Sequence, residues 1–353
     1  MDQEINQERR EARGEEVCEL TGEGFCPKIK NPSVDSAGFS TQVPGLNLVW
    51  DASRLAGYMK DPLAYYWHSV LGYRTTGFAS ARDWGTLYHE ATALFEKMVF
   101  AGTGREEALR ATIKRLVPAA IEIGFTLRGG KGKEAARTVE TLVRALVWFE
   151  SEYRERPLAP LALKDGTPAL EYNWVLPLGL KARTGEDYLL AGNIDKIGTD
   201  EDGHQYAVER KTTSSALGKF FFLQYDPAMQ TYMYDLACAA LFPEASLRGV
   251  VIEACQTGVE FCRFDRHAIV RTRSQREHWV EVIKYWIRRA EQDAIDNSWG
   301  CAINTTSSFG YEMKEIQRRD PRVWESMLKT ALSREPLWNP MLRRPPLLGE
   351  PDA

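Results

Sequence analysis

Apolar residues recur every three or four positions through much of the first half of the chain. Between about 134 and 155 the stripe is Val139, Leu142, Leu146, Phe149 and Tyr153, the spacing of an amphipathic helix. The same periodicity predicts helices over about 105–123 and from Arg82 or Asp83 to about Phe100, the latter with Leu87, Ala91, Leu94 and Met98 on its apolar side. Upstream, NLVWDASRLAGYM reads as a short helix that Asp51 or Ser53 can cap. A turn at Asp61-Pro62 leads into the aromatic run LAYYWHSVLGY.

The pattern then changes. ALEYNWVLPLGL, EDYLLAGNIDKIGT and QYAVERKTT are short, rich in β-branched and aromatic residues, and broken by turn clusters such as TDEDGH. They predict consecutive strands, the last two forming a hairpin. Asp226 and Pro227 suit the N-cap and first turn of a helix over PAMQTYMYDLACAALF. LRGVVIEACQ is a further strand, and Ser274 with Glu277 forms a capping box for a long helix reaching Trp299. Helices, sheet, helix, strand, helix is the order of an α/β domain: a mixed central sheet flanked by helices, with helical elaborations at both ends. Its expected extent is 46–345, after a poorly ordered leader over 1–45 and before a tail over 346–353.

Composition narrows the function classes. The first 24 residues hold eight Asp/Glu against three Arg, and the stretch to Gly45 is rich in Gly, Pro and Ser, which suits the disordered leader. A formal charge of -4 over 353 residues excludes a basic nucleic-acid coat, though not a local basic groove. The N-terminus lacks an apolar signal core and no run is long enough to span a bilayer, so a cytoplasmic protein with no membrane partner is expected. The six cysteines lack a CxxC pair and read as free, mostly buried thiols; Cys18 and Cys26 would make only half a zinc site.

Candidate chemistry centres on Asp195 in GNIDKI and on Glu209-Arg210-Lys211 in AVERKTT. Strand alternation puts Glu209 and Lys211 on one face, with Val208 and Arg210 on the other. Two carboxylates beside a lysine on paired strands suit a hard divalent cation, Mg²⁺ or Mn²⁺, acting on a phosphodiester. The lysine could position or help deprotonate a water, or stabilise the pentavalent phosphorane. Ordinary surface charges on a hairpin would give the same letters, but Asp195 sits in an apolar strand, where a stray charge is costly. His89 lies opposite the apolar stripe of its helix, beside Gly85, Ala93 and Glu96, where small neighbours let another element approach. Imidazole is a reasonable Mn²⁺ ligand. Gln230 and Tyr234, four apart on one helix face, could hold a phosphate or water near the cation, or be a polar pair bonded to backbone.

In order, SRLAGYMKDPLAYY, GTLYH, GNID, ERKT and QTYMY resemble the motif series of the RecB-type branch of the PD-(D/E)xK nucleases, notably phage-borne and CRISPR-adaptation members. The resemblance spans roughly 47–345. It implies a restriction-endonuclease-like core with His89, Asp195, Glu209 and the Arg210 carbonyl as metal ligands. Lys211 would be the catalytic lysine, and Gln230 and Tyr234 would support the site. It also implies a DNA substrate, as single strands or duplex ends, an exonuclease activity, and phage recombination proteins as partners.

Many relatives hold an iron-sulfur cluster through cysteines at two places where this chain has Asp61 and Ser308, so no such cluster is expected. For phosphate contact, Arg271, Arg273, Arg276, Lys196 and Lys219 stand out. Trp279 and Trp286 read as core. The rival reading is a catalytically silent DNA-binding or assembly module that kept the fold. A structure-selective nuclease or nickase is a third.

Overall fold

One strand, β5 (Asp187–Thr199), organises the sheet of the computed structural model, which describes residues 35–75, 80–129, 132–242, 247–301, 310–342 and 346–348. The elements, in chain order, begin with β1 (Val49–Trp50), α1 (Ala52–Lys60), α2 (Pro62–Tyr65), β2 (Tyr73–Arg74), α3 (Ser80–Phe100), α4 (Arg105–Ile123) and α5 (Val139–Tyr153). Then come β3 (Ala159–Pro160), β4 (Leu170–Lys181), β5, β6 (Gln205–Thr213), α6 (Lys219–Leu223), α7 (Met229–Leu241), β7 (Leu247–Thr257) and β8 (Cys262–Ile269). The last are α8 (Arg273–Ile295), α9 (Tyr311–Gln317), α10 (Trp324–Ala331) and β9 (Ser333–Arg334).

β4 pairs antiparallel with one edge of β5, while β1 (parallel) and β6 (antiparallel) pair with it as well. β6 runs parallel to β7 through the α7 crossover, and β8 closes the sheet antiparallel to β7. This is the mixed α/β architecture expected, with the hairpin β5–β6 at its centre. One core lies between the sheet and α1, α7 and α8, around Trp50, Tyr58, Trp174, Ile194, Met233 and Ile287. A second packs α3, α4 and α5 together, with Cys255 and Cys262 of β7 and β8 at its edge. No described helix is long and apolar enough to cross a membrane. Cys238, Cys255 and Cys262 are buried and Cys301 is exposed.

Several local expectations are corrected. The packed chain begins before residue 46. Ala37, Phe39 and Ser40 are buried, Phe39 bridges Asn47, and Ser40 donates to Glu186 at 2.5 Å. The Gly and Ser content that read as a leader serves a tight loop instead, with Gly38 at φ 90° and Gly45 at φ 79°. Residues 1–34, with Cys18 and Cys26, lie outside the described residues, as does Ser308. Asp51 caps α1 as expected, accepting from Arg54 N at 2.8 Å. Asp226-Pro227, however, forms the turn before α7, whose N-cap is Ala228. The box on α8 is Thr272 with Gln275, two residues earlier than Ser274 and Glu277. That helix ends at Ile295 because Asn297 turns left-handed (φ 47°) and Ser298 N donates back to Asp293 O at 2.9 Å.

The C-terminal helices are held by polar and aromatic contacts. Asp61, fully buried, caps α2 through Ala64 N (3.1 Å) and accepts from Lys314 Nζ (3.0 Å) and Gln317 Nε2 (3.1 Å) of α9. Trp67 meets Trp324 edge-on, within a cluster that includes Leu63, Tyr73, Met313 and Ile316. The aspartate at this position is therefore a bonded tie between the two ends of the domain.

Candidate active site

Helix α3 lies across the floor made by β5 and β6, and its sequence explains how closely. A Cβ on Gly85 would stand 3.1 Å from Thr212 Oγ1 of β6, closer than ordinary contact, so the glycine lets the helix sit close on the strand. Three turns on, Glu96 accepts from Lys196 Nζ at 2.7 Å and pairs with the Arg210 guanidinium, pinning the helix to both strands. Between these two anchors His89 faces the hairpin, with Nδ1 3.4 Å from Asp195 Oδ2. The small neighbour and the histidine thus work together, as the helix periodicity predicts.

Asp195 is 8 % exposed and also accepts the Arg210 backbone N–H at 2.7 Å. Burial acts to raise its pKa, but His89 and that N–H outweigh it and hold the carboxyl below its usual range. Glu209, 2 % exposed, goes the other way: burial and the Asp195 charge raise its pKa despite Lys211 beside it. Burial would lower His89, yet Asp195, Glu209 and Glu171 around it raise its pKa. For Lys211 the Glu209 carboxylate likewise outweighs burial, so the ammonium is kept.

Helix α7 supplies the polar support. Gln230 Nε2 donates to Glu209 Oε1 (2.9 Å) and to Tyr234 Oη (2.9 Å), while its Oε1 accepts from Lys211 Nζ (3.0 Å). Lys211 also bonds Glu209, and its ammonium lies 5.8 Å from the centre of the Tyr225 ring. The Tyr234 hydroxyl donates to the Asn193 carbonyl, and burial pushes its pKa far up, so it stays a donor. The structure thus brings Gln230 and Tyr234 into one network with Glu209 and Lys211.

Arg210 turns its side chain to the opposite face, as strand alternation requires. There it is fully buried, with Nε 3.1 Å from Glu253 Oε2 on β7. Arg266 of β8 reaches the same carboxylate at 2.9 Å and stacks 3.6 Å above the Tyr153 ring. Burial alone would raise Glu253, but Lys196, Arg210 and Arg266 hold it down to about 2. A folded pKa below the unfolded one adds stability above the ordinary carboxylate range, and that stability is lost as pH falls toward about 2. Glu253→Gln is therefore expected to cost about 3 kcal/mol at pH 7 and much less near pH 3. Urea unfolding at both values checks this, and an equal loss at both would refute it.

Sequence reasoning missed Glu171. It stands on β4 between the register pairs Leu170↔Lys196 and Tyr172↔Ile194, which places it across from Asp195. Its Oε2 accepts from Asn193 Nδ2 at 2.6 Å, and burial and the Asp195 charge push its pKa to about 7. Glu171, Asn193, Asp195, His89, Gln230 and Tyr234 share one cleft of about 360 Å³, which the C-terminal segment borders with Trp338, Pro340, Leu342 and Pro346. The one signal in the sequence was a charged residue at the head of the apolar run ALEYNWVLPLGL.

The residue set fits a hard divalent cation. Glu209 Oε2 is buried without a hydrogen-bond partner among the described residues, beside a second carboxylate and an imidazole. Such an oxygen is stabilised by a proton, an added donor or a cation, and the second carboxylate and imidazole beside it suit the cation. The β5–β6 turn also brings ligand atoms of Asp200, Asp202 and His204 within 4.8 Å of one another. There Asp200 Oδ1 accepts the N–H groups of Asp202 and His204, so the grouping is the turn's own bonding.

The candidate phosphate contacts divide. Lys196 is 1 % exposed and tied to Glu96, and Arg271 is buried against Thr231 and the Tyr232 ring. Neither is free to meet a phosphate, because each is bonded to buried partners. Arg276 is half-buried and 3.4 Å from Asp235. Arg273 and Lys219 are exposed, Arg273 in a salt bridge to Glu277. Trp279 stacks on Tyr232 (centroids 3.9 Å apart) and Trp286 packs edge-on against Tyr58, so both belong to the core side of α8.

The family model of the PD-(D/E)XK nuclease superfamily matches residues 50–307, a span that includes every residue of this cluster. No curated protein matches the chain.

Proposed function

The chain belongs to the PD-(D/E)XK nuclease superfamily, and on that footing we propose that it is a Mg²⁺- or Mn²⁺-dependent deoxyribonuclease. The observation that carries this reading is half-buried His89 against the buried carboxylates Asp195 and Glu209, with the Lys211 ammonium held between Glu209 and Gln230. His89, Asp195 and Glu209, with the Arg210 carbonyl, would hold the ion. When bound, a divalent ion supplies charge against the phosphate and makes water more acidic. Lys211, bonded to Glu209 and Gln230, would face that charge as a fixed donor. Gln230 and Tyr234 keep Glu209 and Lys211 in place.

Substrate access favours strand ends. The cleft is near the low end of small-molecule sites, which run roughly 300–1,000 Å³, a size for a nucleotide rather than a duplex. Its C-terminal border is tied down by Leu347 and Leu348 N–H groups on Glu90, at 3.0 and 2.9 Å. A strand entering beside such a border does so most easily by its end, which suits an exonuclease. On α6, exposed Lys219 and Phe220 (89 % exposed) offer a charge and a stacking ring. The motif order of GTLYH, GNID, ERKT and QTYMY favours the RecB-type branch and a role in phage or prophage DNA recombination or repair, in the cytoplasm.

The test is a time course on end-labelled single- and double-stranded DNA with Mg²⁺, Mn²⁺ or EDTA. Mononucleotide release that EDTA abolishes is expected. DNA binding without cleavage of any substrate under either metal would favour the silent binding module instead.

A further inference from the structure

Helix α6 is a single short turn of KFFFL, and it divides its aromatic residues between core and solvent. Phe222 points inward, 5 % exposed, and stacks on the His267 ring of β8 with centroids 5.2 Å apart. Phe220, two residues earlier and so about 200° around the helix, is 89 % exposed. Lys219 and Leu223 of the same turn are exposed as well. A single exposed apolar side chain is ordinary on a protein surface, so Phe220 alone would carry no meaning.

A run of rings joins it to the site. Gln230 lines the cleft, and the Lys211 ammonium bonded to Gln230 lies 5.8 Å from the centre of the Tyr225 ring. Tyr225 meets Phe221 edge-on at 5.4 Å, and Phe221 adjoins Phe220 in the chain. Tyr225 and Phe221 are both half-buried, so part of each side chain stays open to solvent. Their backbone is fixed before any ligand arrives. Thr231 Oγ1 donates to Tyr225 O at 2.7 Å, Gln224 Nε2 to Phe221 O at 2.8 Å, and Tyr225 N to Phe222 O at 3.0 Å. A ligand landing on such a surface has little ordering of the protein left to offset.

Charge matches the rings. Lys211 and exposed Lys219 stand on either side of the run, and the chain from 211 to 225 contains no acidic residue. The next one, Asp226, faces Arg271 at 3.7 Å. Ammonium groups alternating with open rings suit a ligand that offers phosphates and bare base faces together. A single strand does so, whereas in a duplex the bases stack on one another and hide those faces.

We propose that Tyr225, Phe221 and Phe220 form a stacking ledge for the unpaired bases of a DNA strand whose end lies in the cleft, with Lys219 on its phosphates. Phe220, at the outer end, is then a specificity residue that favours single strands over duplex without touching the reacting phosphate. The inference rests on the nuclease reading for its class of substrate, and it adds the surface on which that substrate lies.

The experiment is fluorescence anisotropy of the full chain in EDTA, with a labelled single strand of about twelve nucleotides or a blunt duplex of the same sequence. Phe220→Ala is expected to weaken single-strand binding about tenfold and to leave duplex binding unchanged. Its melting temperature should match wild type, because the side chain is 89 % exposed. Phe220→Trp, which keeps a stacking face, should bind the single strand at least as tightly as wild type. Lys219→Ala should lose less, and its loss should fade as salt rises, as a phosphate contact requires. A strand carrying 5-iododeoxyuridine should photo-crosslink to Phe220 or Phe221. Unchanged single-strand affinity in Phe220→Ala, an equal loss on both DNAs, or an equal loss in Phe220→Trp overturns the ledge and leaves the nuclease reading standing. The expected binding pattern in a protein that cleaves no DNA with Mg²⁺ or Mn²⁺ supports the ledge and overturns the nuclease reading instead.

Discussion

Lys211→Ala is expected to cut DNA on the order of 10²-fold or more slowly than wild type while binding Mn²⁺ at least as well. Among the described residues the Lys211 ammonium is the one cation bonded to Glu209, and it is fixed by Gln230 Oε1 at 3.0 Å before any substrate arrives. Removing a preorganised charge of this kind lowers the rate by about that factor, because water cannot replace it without reorganising. Metal binding should survive, since a protonated lysine offers no lone pair. DNA affinity should fall only slightly, one phosphate contact among several being a small share of the electrostatic term. Single-turnover rates and Mn²⁺ isotherms on the same preparations separate these effects. Full activity in the variant would mean that another cation performs this role.

Arg210→Met should cost about 3–5 kcal/mol of stability, the usual result of removing one partner from a buried ion pair. The guanidinium is wholly buried, and its loss leaves Glu96 without one of its two cations and Glu253 without one of its three. The damage should also reach the catalytic face. Glu96 pins α3, and α3 carries His89, so the histidine should lose its fixed place beside Asp195 and Mn²⁺ affinity should fall with stability. Urea unfolding and metal titration of the variant are the measurements. A loss below about 1 kcal/mol would show that the Arg210 pairs are not what holds helix to sheet.

What could be read in the sequence was whatever depends on local period and order. The stripe Leu87, Ala91, Leu94, Met98 put His89 on the far side of α3 beside Gly85, and the structure turns that side to the hairpin. Alternation put Glu209 and Lys211 on one face and Arg210 on the other, and the three side chains divide in that way. What depends on register or on distant partners was not legible. Glu171 matters because β4 pairs with β5 at a particular offset, which no spacing in the chain encodes. Lys196 and Arg271 carry the charge of phosphate contacts, but Glu96 on one side and Thr231 on the other draw them inward. Helix caps slipped by two residues where several capping residues lie within one turn, as Thr272 and Ser274 do. The buried loop over 35–45 read as leader because glycine and serine mark tight turns and disorder alike.

The proposed metal-dependent cleavage depends on one buried carboxylate, Asp195. It is tested most directly by measuring cleavage of end-labelled DNA by wild type and Asp195→Asn across a Mn²⁺ titration. Wild type should show cleavage that rises and saturates with Mn²⁺, while Asp195→Asn, folded but short of that carboxylate, should show none at any concentration. Equal cleavage by the two proteins would contradict the account.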